Sequence, residues 1–313
     1  MPWLDEVIAA LIRQPCCGYR PGGPAAAEPT ALAAMALWGH GQEAAARSAL
    51  AWLAGIQSSA GSVGVSAALD HPCWPTGWAL LAWRVSTKKT TGACSKTSEV
   101  SKTSEVCQAA DLSSWEPMIQ RAAVWILSHK GKPVPQSSAL GHDTTLEAWS
   151  WVEGAHSWVE PTAINLLALK ACGYAESDRS REAVRLLCDR AVPAGGWNYG
   201  NREVFGTPLR PHLQPTGLAL SALVGEPSAA REVAAATAYL RAGLSAKVAT
   251  ASLCYGLIGL ASHGQEPQGA AMWLESAARR TLRQGAAPYQ LALLALAAMG
   301  RRGPWFSSPK EAA

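Results

Sequence analysis

Phenylalanine, β-branched segments and long apolar runs are scarce in this chain of 313 residues. It has 2 Phe against 14 Trp, and Val, Ile and Thr do not gather into the alternating runs typical of strands. The longest apolar run, Leu291–Met299, is far too short to cross a bilayer. Charged residues make up 16% of the chain, with a net charge of +4 and no basic stripe. We therefore expect no β-rich fold, no membrane-spanning helix and no nucleic-acid partner.

The N-terminal residues lack the pattern of a secretory signal. Asp5 and Glu6 stand where a signal would carry positive charge, and the apolar stretch that follows is short. We therefore expect a cytoplasmic protein whose 8 cysteines are free thiols and not a disulfide framework. Four of them lie in predicted loops and receive no assigned chemistry: Cys16, Cys17, Cys94 and Cys107.

Alanine and leucine are abundant, and a short phrase recurs ahead of runs rich in them. The phrase is one variable residue followed by Pro and Thr. Proline fits the first turn of a helix, and Ala and Leu are strong helix formers. The copies are Glu28-Pro29-Thr30, Trp74-Pro75-Thr76, Glu160-Pro161-Thr162 and Gln214-Pro215-Thr216. This recurrence predicts a repeat protein.

Hydrophobic periodicity extends the repeat to six apolar helices, five amphipathic helices that follow them, and one amphipathic helix that opens the chain. The apolar helices are predicted at 31–38, 75–85, 161–173, 218–224, 249–262 and 288–299. The opening helix, Trp3–Arg13, has no apolar partner before it. If it packs against the last helix, Pro288–Met299, six pairs close and the fold needs no polar capping repeats. The prediction is an all-α chain.

One stretch, at about 86–111, does not follow the repeat. It is rich in Ser, Thr and Lys and contains SKTSEV twice in tandem, at Ser95–Val100 and Ser101–Val106. Such a composition offers almost nothing to bury, so we expect a mobile insertion within a single domain that spans 1–313.

The segments SWVEPTAINLLALKA and GGWNYGN resemble repeats of the squalene–hopene cyclase and protein prenyltransferase superfamily. They are most similar to single-toroid bacterial prenyltransferase/squalene oxidase repeat proteins. The resemblance implies an (α/α)6 toroid of six inner and six outer helices, closed by the N-terminal helix. In that family an aromatic–aliphatic pair, Gln and Gly-x-Trp tie the outer helices together. Trp52, Gln57 and Trp197 match this motif in part and are structural candidates.

The same resemblance implies an isoprenoid cyclase or a prenyltransferase with its site in a central cavity. The Asp-x-Asp-Asp string of the cyclases is absent, and its nearest counterpart is His142-Asp143-Thr144-Thr145. Asp70, His71 and Cys73 are the residue types of the prenyltransferase zinc site, but their spacing differs from the family pattern. We therefore assign no metal and no cofactor, and keep these three residues as weak zinc candidates.

Two carboxylates precede prolines of the repeated phrase, Glu28 and Glu160. A carboxylate at a helix N-terminus is stabilised by free N–H groups and the helix dipole, so each fits a capping role. The other interpretation is an acid or base at the mouth of the cavity. We favour the cap for Glu28, and of the two we keep Glu160 as the catalytic candidate because it follows the Trp149, Trp151 and Trp158 cluster. His142 and Asp143 form a second candidate acid–base pair, with a plain surface pair as the alternative.

Aromatic residues are concentrated in the segments that lead into the apolar helices. They either pack the rim or line a pocket for an apolar or cationic group. The candidate ligand-binding residues are Trp149, Trp151, Trp158, Trp197, Tyr199 and His212.

Two functions follow from these observations. The first is an enzyme of isoprenoid type, acting on an apolar small molecule. The second is a non-catalytic scaffold that binds a lipid-like ligand or a protein partner, and peripheral contact with a membrane is left open. A buried carboxylate beside aromatic faces in the cavity would favour the first function.

Overall fold

The computed structural model describes residues 1–87, 115–136 and 139–303, and over these residues the chain is all-α. The predicted insertion at about 86–111 lies outside the described residues except for its first two positions. The twelve described α-helices are α1 Pro2–Arg13, α2 Ala27–Gly39, α3 Glu43–Gly55, α4 Thr76–Ser86, α5 Glu116–Ser128, α6 Val159–Ala171, α7 Asp178–Arg190, α8 Leu213–Ala222, α9 Ala230–Gly243, α10 Thr250–Ser262, α11 Ala270–Arg283 and α12 Pro288–Ala297. A small antiparallel hairpin joins β1, Glu203–Val204, to β2, Thr207–Pro208.

The helices form two sets that alternate along the chain. The apolar set, α2, α4, α6, α8, α10 and α12, is buried on nearly every side. The amphipathic set buries one stripe: in α7, Ser180, Ala183, Val184 and Leu187 are buried at helical spacing, while Arg181 and Arg185 are exposed. This is the pattern expected for a surface helix packed on a core.

Each amphipathic helix packs on an apolar helix that is its partner, and α11 packs on both α10 and α12. The pairs are α2 with α3, α4 with α5, α6 with α7, α8 with α9, α10 with α11, and α12 with α1. The apolar helices also pack on one another in chain order, and α12 contacts α2. The predicted contact between Trp3–Arg13 and the last apolar helix is therefore confirmed, and each apolar helix has two apolar neighbours.

Helices α2 and α6 begin earlier than their prolines predict. Helix α6 starts at Val159, so Glu160 and Pro161 occupy its second and third positions and Trp158 is the N-cap residue. A proline is tolerated there because the first N–H groups of a helix have no partner within it. Neither Glu28 nor Glu160 makes a side-chain capping hydrogen bond, so the cap we favoured for Glu28 is not formed by hydrogen bonding, although both carboxylates lie in the first turn of their helices.

The threonine of the repeated phrase fixes the loop that precedes each helix. Its hydroxyl accepts a hydrogen bond from the N–H, and donates to the C=O, of one loop residue. The pairs are Thr30 with Cys17, Thr76 with Val63, Thr162 with Trp149 and Thr216 with Trp197, at 2.9–3.5 Å. All four threonines are fully buried. Because an unpaired buried peptide group is costly, this contact explains why Thr recurs.

Basic side chains at the C-terminal ends of the apolar helices bind carbonyl groups of the neighbouring helix. Lys170 donates to Ala222 and Val224 at 2.9 and 2.8 Å, and its ammonium lies 2.5 Å from the Glu226 carboxylate. Arg84 donates to the Ala171 carbonyl at 3.1 Å. The last carbonyls of a helix lack partners within it, so these contacts satisfy groups that packing would otherwise leave unpaired.

Gln57 joins two amphipathic helices, and it was selected from the sequence as a structural candidate. Its Nε2 donates to the Met118 carbonyl in α5 at 3.0 Å, and its Oε1 accepts from Arg121 at 2.8 Å. The Trp197 indole donates to the Leu187 carbonyl in α7 at 2.6 Å. Both residues therefore have structural roles.

Candidate functional site

A cavity of about 340 Å³ lies at the N-terminal ends of the apolar helices. All six of these helices contribute side chains to its wall, and three loop residues complete it. The lining consists of Tyr19, Glu28, Trp74, Trp78, Trp151, Glu160, Ile164, Gln214, Leu218, Tyr255 and Tyr289. The volume lies within the range of small-molecule sites in proteins, about 300–1,000 Å³.

The variable position of the repeated phrase supplies four of these residues. Glu28, Trp74, Glu160 and Gln214 each stand immediately before Pro-Thr, and each lines the cavity. Residues four positions later lie on the same helix face, which explains why Trp78, Ile164 and Leu218 are also in the wall. The buried Thr fixes the backbone of each repeat, while the preceding residue determines the chemistry of the cavity.

Three tyrosines surround the Glu28 carboxylate. Tyr19 donates to Oε2 at 2.6 Å and Tyr255 to Oε1 at 3.4 Å, while the Tyr289 hydroxyl lies 3.4 Å from that of Tyr255. Although part of the Glu28 side chain faces the cavity, the surrounding protein removes most of its hydration. This burial raises the pKa of Glu28 to about 7, against the opposing effect of the tyrosine hydrogen bonds.

Glu160 has a different set of partners. Gln214 donates to its Oε1 at 3.2 Å, and within the described part of the chain no group donates to Oε2. The residue is 6% exposed. Burial, and then the negative charge of Glu28, raise the pKa of Glu160 to about 7, while the Gln214 contact opposes the rise. The two carboxyl groups therefore titrate near neutral pH, and the charge of Glu28 disfavours ionisation of Glu160.

Close packing of α8 and α10 brings Tyr255 to the cavity. A Cβ atom on Gly217 would lie 2.1 Å from the Tyr255 carbonyl oxygen, and one on Gly259 would lie 2.6 Å from the Gly217 carbonyl oxygen. Glycine at both positions lets the two backbones approach. On the opposite wall, Trp74 and Trp151 meet edge to face with ring centroids 4.8 Å apart.

Of the six predicted ligand-binding residues, the structure brings one, Trp151, to this cavity. Trp149 is buried, donates to the Ile126 carbonyl at 3.0 Å and lies beneath the Arg179 guanidinium. Trp158 is the N-cap residue of α6 and packs against His156. Tyr199 and His212 are exposed and contact each other with ring centroids 5.4 Å apart. Together with Trp197, these residues fix and cover the loops around the cavity.

His142 and Asp143 lie in the loop before α6, away from the cavity lining. The Asp143 carboxylate accepts from the Thr145 N–H and hydroxyl at 2.8 and 2.6 Å, and these bonds lower its pKa. Burial, together with the nearby Arg190, lowers the pKa of His142 to about 4. Within the described residues no hydrogen bond joins the imidazole to this carboxylate. The structure therefore does not assemble the two residues as an acid–base pair.

The zinc candidates also lie apart from the cavity lining. Asp70 and His71 form an exposed contact at 3.2 Å, and the Cys73 thiol donates to the Asp70 carbonyl, not to a carboxylate. Over residues 1–87, 115–136 and 139–303, no three His, Cys, Asp or Glu side chains are grouped so that they could hold a metal ion. Asp70, His71 and Cys73 therefore do not form a zinc site.

Most of the cavity wall was not selected from the sequence. The residues not selected as ligand-binding or catalytic are Tyr19, Glu28, Trp74, Trp78, Ile164, Gln214, Leu218, Tyr255 and Tyr289. Two signals could have found many of them. One is variation at the position before Pro-Thr, next to two invariant positions. The other is the presence of tyrosine in helices otherwise built from Ala and Leu, as in α10 and α12.

Comparison with known proteins gives a fold relationship. No protein-family profile and no curated protein matches the chain. Several solved structures do, among them a crystal structure of a protein from Actinoplanes that is 18% identical, with a TM-score of 0.51. The match covers 88% of this chain and 80% of that protein. At this identity the likeness concerns the fold alone.

Proposed function

We propose that the chain is an (α/α)6 toroid with the apolar set as its inner ring and the amphipathic set as its outer ring. Three contacts support this arrangement: the apolar helices pack on one another in chain order, α12 packs on α2, and α1 packs on α12. The cavity at their N-terminal ends is then the mouth of the central channel. No described helix combines the length and apolar character needed to cross a bilayer.

Within this cavity, we propose acid–base chemistry on an apolar substrate of isoprenoid type. The observation that carries the proposal is the pair of carboxyl groups, Glu28 and Glu160, whose pKa values are both raised to about 7 beside aromatic residues. A carboxyl group with such a pKa is suited to donate or accept a proton at neutral pH. Perturbed carboxyl groups in a pocket are typical of functional sites.

In the proposed reaction, protonated Glu160 gives its proton to a carbon–carbon double bond, and the substrate becomes a carbocation. Glu160 is selected as the acid because its Oε2 is free to face the substrate. The rings of Trp74, Trp78 and Trp151 stabilise the cation through their negative faces. Ionised Glu28 then takes a proton from a neighbouring carbon, and proton exchange with solvent returns Glu28 to its ionised form and Glu160 to its protonated form before the next cycle. The product is an isomer or a cyclised form of the substrate, with no redox change.

The charges of the wall favour this chemistry over transfer from a prenyl diphosphate. A diphosphate would face two carboxyl groups, and no Lys or Arg is among the described residues that line the cavity. The volume of about 340 Å³ lies at the lower end of the usual range, which favours a short isoprenoid over a triterpene.

The test is incubation of the protein with short isoprenoid alkenes in deuterated water, followed by mass spectrometry of the products. We expect deuterium in the product, and a loss of roughly 100-fold or more in rate for Glu160→Gln. Glu275→Gln, a surface carboxylate paired with Arg279, is the control and should leave the rate unchanged. If no alkene of this class exchanges or isomerises, the proposed reaction is wrong.

A second candidate function is binding without turnover, which the missing Asp-x-Asp-Asp string favours. Native mass spectrometry of the protein taken directly from cells would distinguish the two. An unchanged apolar molecule retained in the cavity supports binding without turnover, whereas a mixture of alkene isomers supports catalysis.

A further inference from the structure

The cavity wall carries negative charge that no cation in the wall offsets. Its ionisable residues are Glu28, Glu160, Tyr19, Tyr255 and Tyr289, and its described lining contains no Lys, Arg or His. Elsewhere in the described chain, buried charged groups have opposite charges beside them, as Arg190 has Asp189 and Lys170 has Glu226. An uncompensated buried charge is costly, and a cation in the cavity would therefore stabilise the ionised forms of both carboxyl groups.

The free oxygen of Glu160 makes this charge available to a ligand. Glu160 is 94% buried, being 6% exposed, and Gln214 contacts Oε1 alone. The hydroxyls of Tyr19 and Tyr255 donate hydrogen bonds to the Glu28 carboxylate. They stabilise its ionised form but carry no charge that would offset it. The wall therefore contains a carboxylate oxygen without a donor on one side and a stabilised carboxylate on the other.

Aromatic rings provide the remaining surface. Trp74, Trp78 and Trp151 line the cavity together with Tyr255 and Tyr289. The face of an aromatic ring attracts a cation, and tryptophan attracts it most strongly. Carboxylates combined with several such rings in a small cavity are complementary to an organic ammonium ion, whose charge is spread over apolar substituents.

We infer that this cavity binds a small apolar amine as its ammonium ion, with Glu160 Oε2 and Glu28 offsetting the charge and the tryptophan rings enclosing the substituents. The inference goes beyond the proposed reaction, because it concerns a ligand class that need not be turned over. It can hold whether or not the protein isomerises alkenes, and the alkene assay above is independent of it.

The first experiment compares two probes of the same shape on the full chain by calorimetry at pH 8. Choline and 3,3-dimethylbutan-1-ol differ in having a quaternary nitrogen or a quaternary carbon, so their difference in affinity measures charge recognition. We expect choline to bind at least about tenfold more tightly, the size of a desolvated cation–aromatic or ion-pair contact. Equal affinities would overturn the inference.

The variants separate the carboxyl groups from the rest of the wall. Glu160→Gln and Glu28→Gln keep the shape and remove one charge each, so each should reduce the preference for choline and leave the affinity for the alcohol unchanged. Glu275→Gln, on the surface of α11, removes the same charge at a distance and should change neither affinity. A preference for choline that survives in both cavity variants would contradict the inference.

The pH dependence tests the inference on the unmodified protein. Choline does not titrate, and the pKa values of Tyr19, Tyr255 and Tyr289 are raised by burial, so between pH 5.5 and 8 the wall titrates through Glu28 and Glu160. Choline should bind more weakly by about tenfold or more at pH 5.5, where both carboxyl groups are protonated. At pH 7 its binding should release protons, detected as a heat that depends on the buffer. An affinity that does not change with pH would count against the inference.

Discussion

The two ends of the apolar helices carry ionisable groups in opposite situations. At the C-terminal ends, Lys170 and Arg84 donate to carbonyl groups of the next helix, and Lys170 is also paired with Glu226. At the N-terminal ends, Glu28 and Glu160 line a cavity whose described wall contains no positively charged residue. The same helices therefore use charge at one end to hold neighbours together, and at the other place carboxyl groups in a cavity wall that contains no described cation.

The first prediction tests the C-terminal end. Lys170→Met should lower the free energy of unfolding by about 3 kcal/mol, because it leaves the Glu226 carboxylate and the carbonyls of Ala222 and Val224 without their donor. Lys130→Met is the matched control, since the Lys130–Glu147 pair has a similar distance, 2.6 Å, but its lysine side chain is 54% exposed. Lys130→Met should lower the free energy of unfolding, measured by urea denaturation, by less than about 1 kcal/mol. If the two substitutions lowered the free energy of unfolding equally, the largely buried Lys170 pair would be no more important for stability than the exposed Lys130 pair.

The second prediction concerns the frame of the N-terminal end. Thr216→Val keeps the side-chain shape but leaves the buried Trp197 N–H unpaired, while the Trp197 C=O keeps its bond from the His212 N–H, so the free energy of unfolding should fall by about 2 kcal/mol. Thr216→Ser keeps the hydroxyl and should lose less. Urea denaturation measures both variants. A Val variant as stable as the Ser variant would show that the hydrogen bonds of the Thr216 hydroxyl do not contribute to stability.

The third prediction has the opposite sign and concerns the cavity. The pKa of Glu160 is raised from 4.5 to about 7 in the folded chain, so the folded state binds more protons than the unfolded state between these values. Stability from this group is therefore fully present below about pH 4.5 and is lost as the pH rises through 7. Glu160→Gln should raise the free energy of unfolding by about 1–2 kcal/mol at pH 8 and change it little at pH 4.5. Unfolding curves at the two pH values measure this, and a loss of stability at pH 8 would instead indicate a capping role.

The smallest effect on stability is expected for the SKTSEV insertion, which belongs to neither end of the apolar helices. Removing one SKTSEV copy, Ser101–Val106, should leave the melting temperature within about one degree, since the cost of loop closure varies slowly with length. These residues lie outside the described chain, and the prediction rests on their composition. A fall of many degrees in a thermal melt would show that the segment contributes to the core.

Sequence reasoning predicted the framework well because the framework is repetitive. Periodicity predicted the two sets of helices and the contact between the first and last of them, which α1 and α12 make. It erred at helix starts, since it put Glu160 outside α6 when the residue occupies the second position. The free N–H groups of the first turn tolerate proline at any of several positions, so the proline alone does not fix where the helix begins.

The candidate site was harder to predict because its residues come from all six repeats. Trp149 and Trp151 are two positions apart, yet one anchors a loop to α5 and the other lines the cavity. Local sequence does not distinguish them, since both lie in the same irregular segment. The preference for Glu160 over Glu28 depended on Trp residues near in sequence, and it could not show that Glu28 also lines the cavity, where Tyr19 and Tyr255 donate to it. Tyr255 is far away along the chain.

The separation of roles within each Pro-Thr phrase has a practical consequence for protein engineering. The positions of Glu28, Trp74, Glu160 and Gln214 can be randomised together while the adjacent Pro and Thr are kept, so a library of limited size samples new cavity chemistries on a constant backbone. Because each position belongs to a different repeat, each can be varied without changing the others, and only contacting pairs such as Glu160 and Gln214 need to be varied together. The scaffold thus offers a route to receptors for small molecules that differ in charge and polarity, selected by changing one residue per repeat.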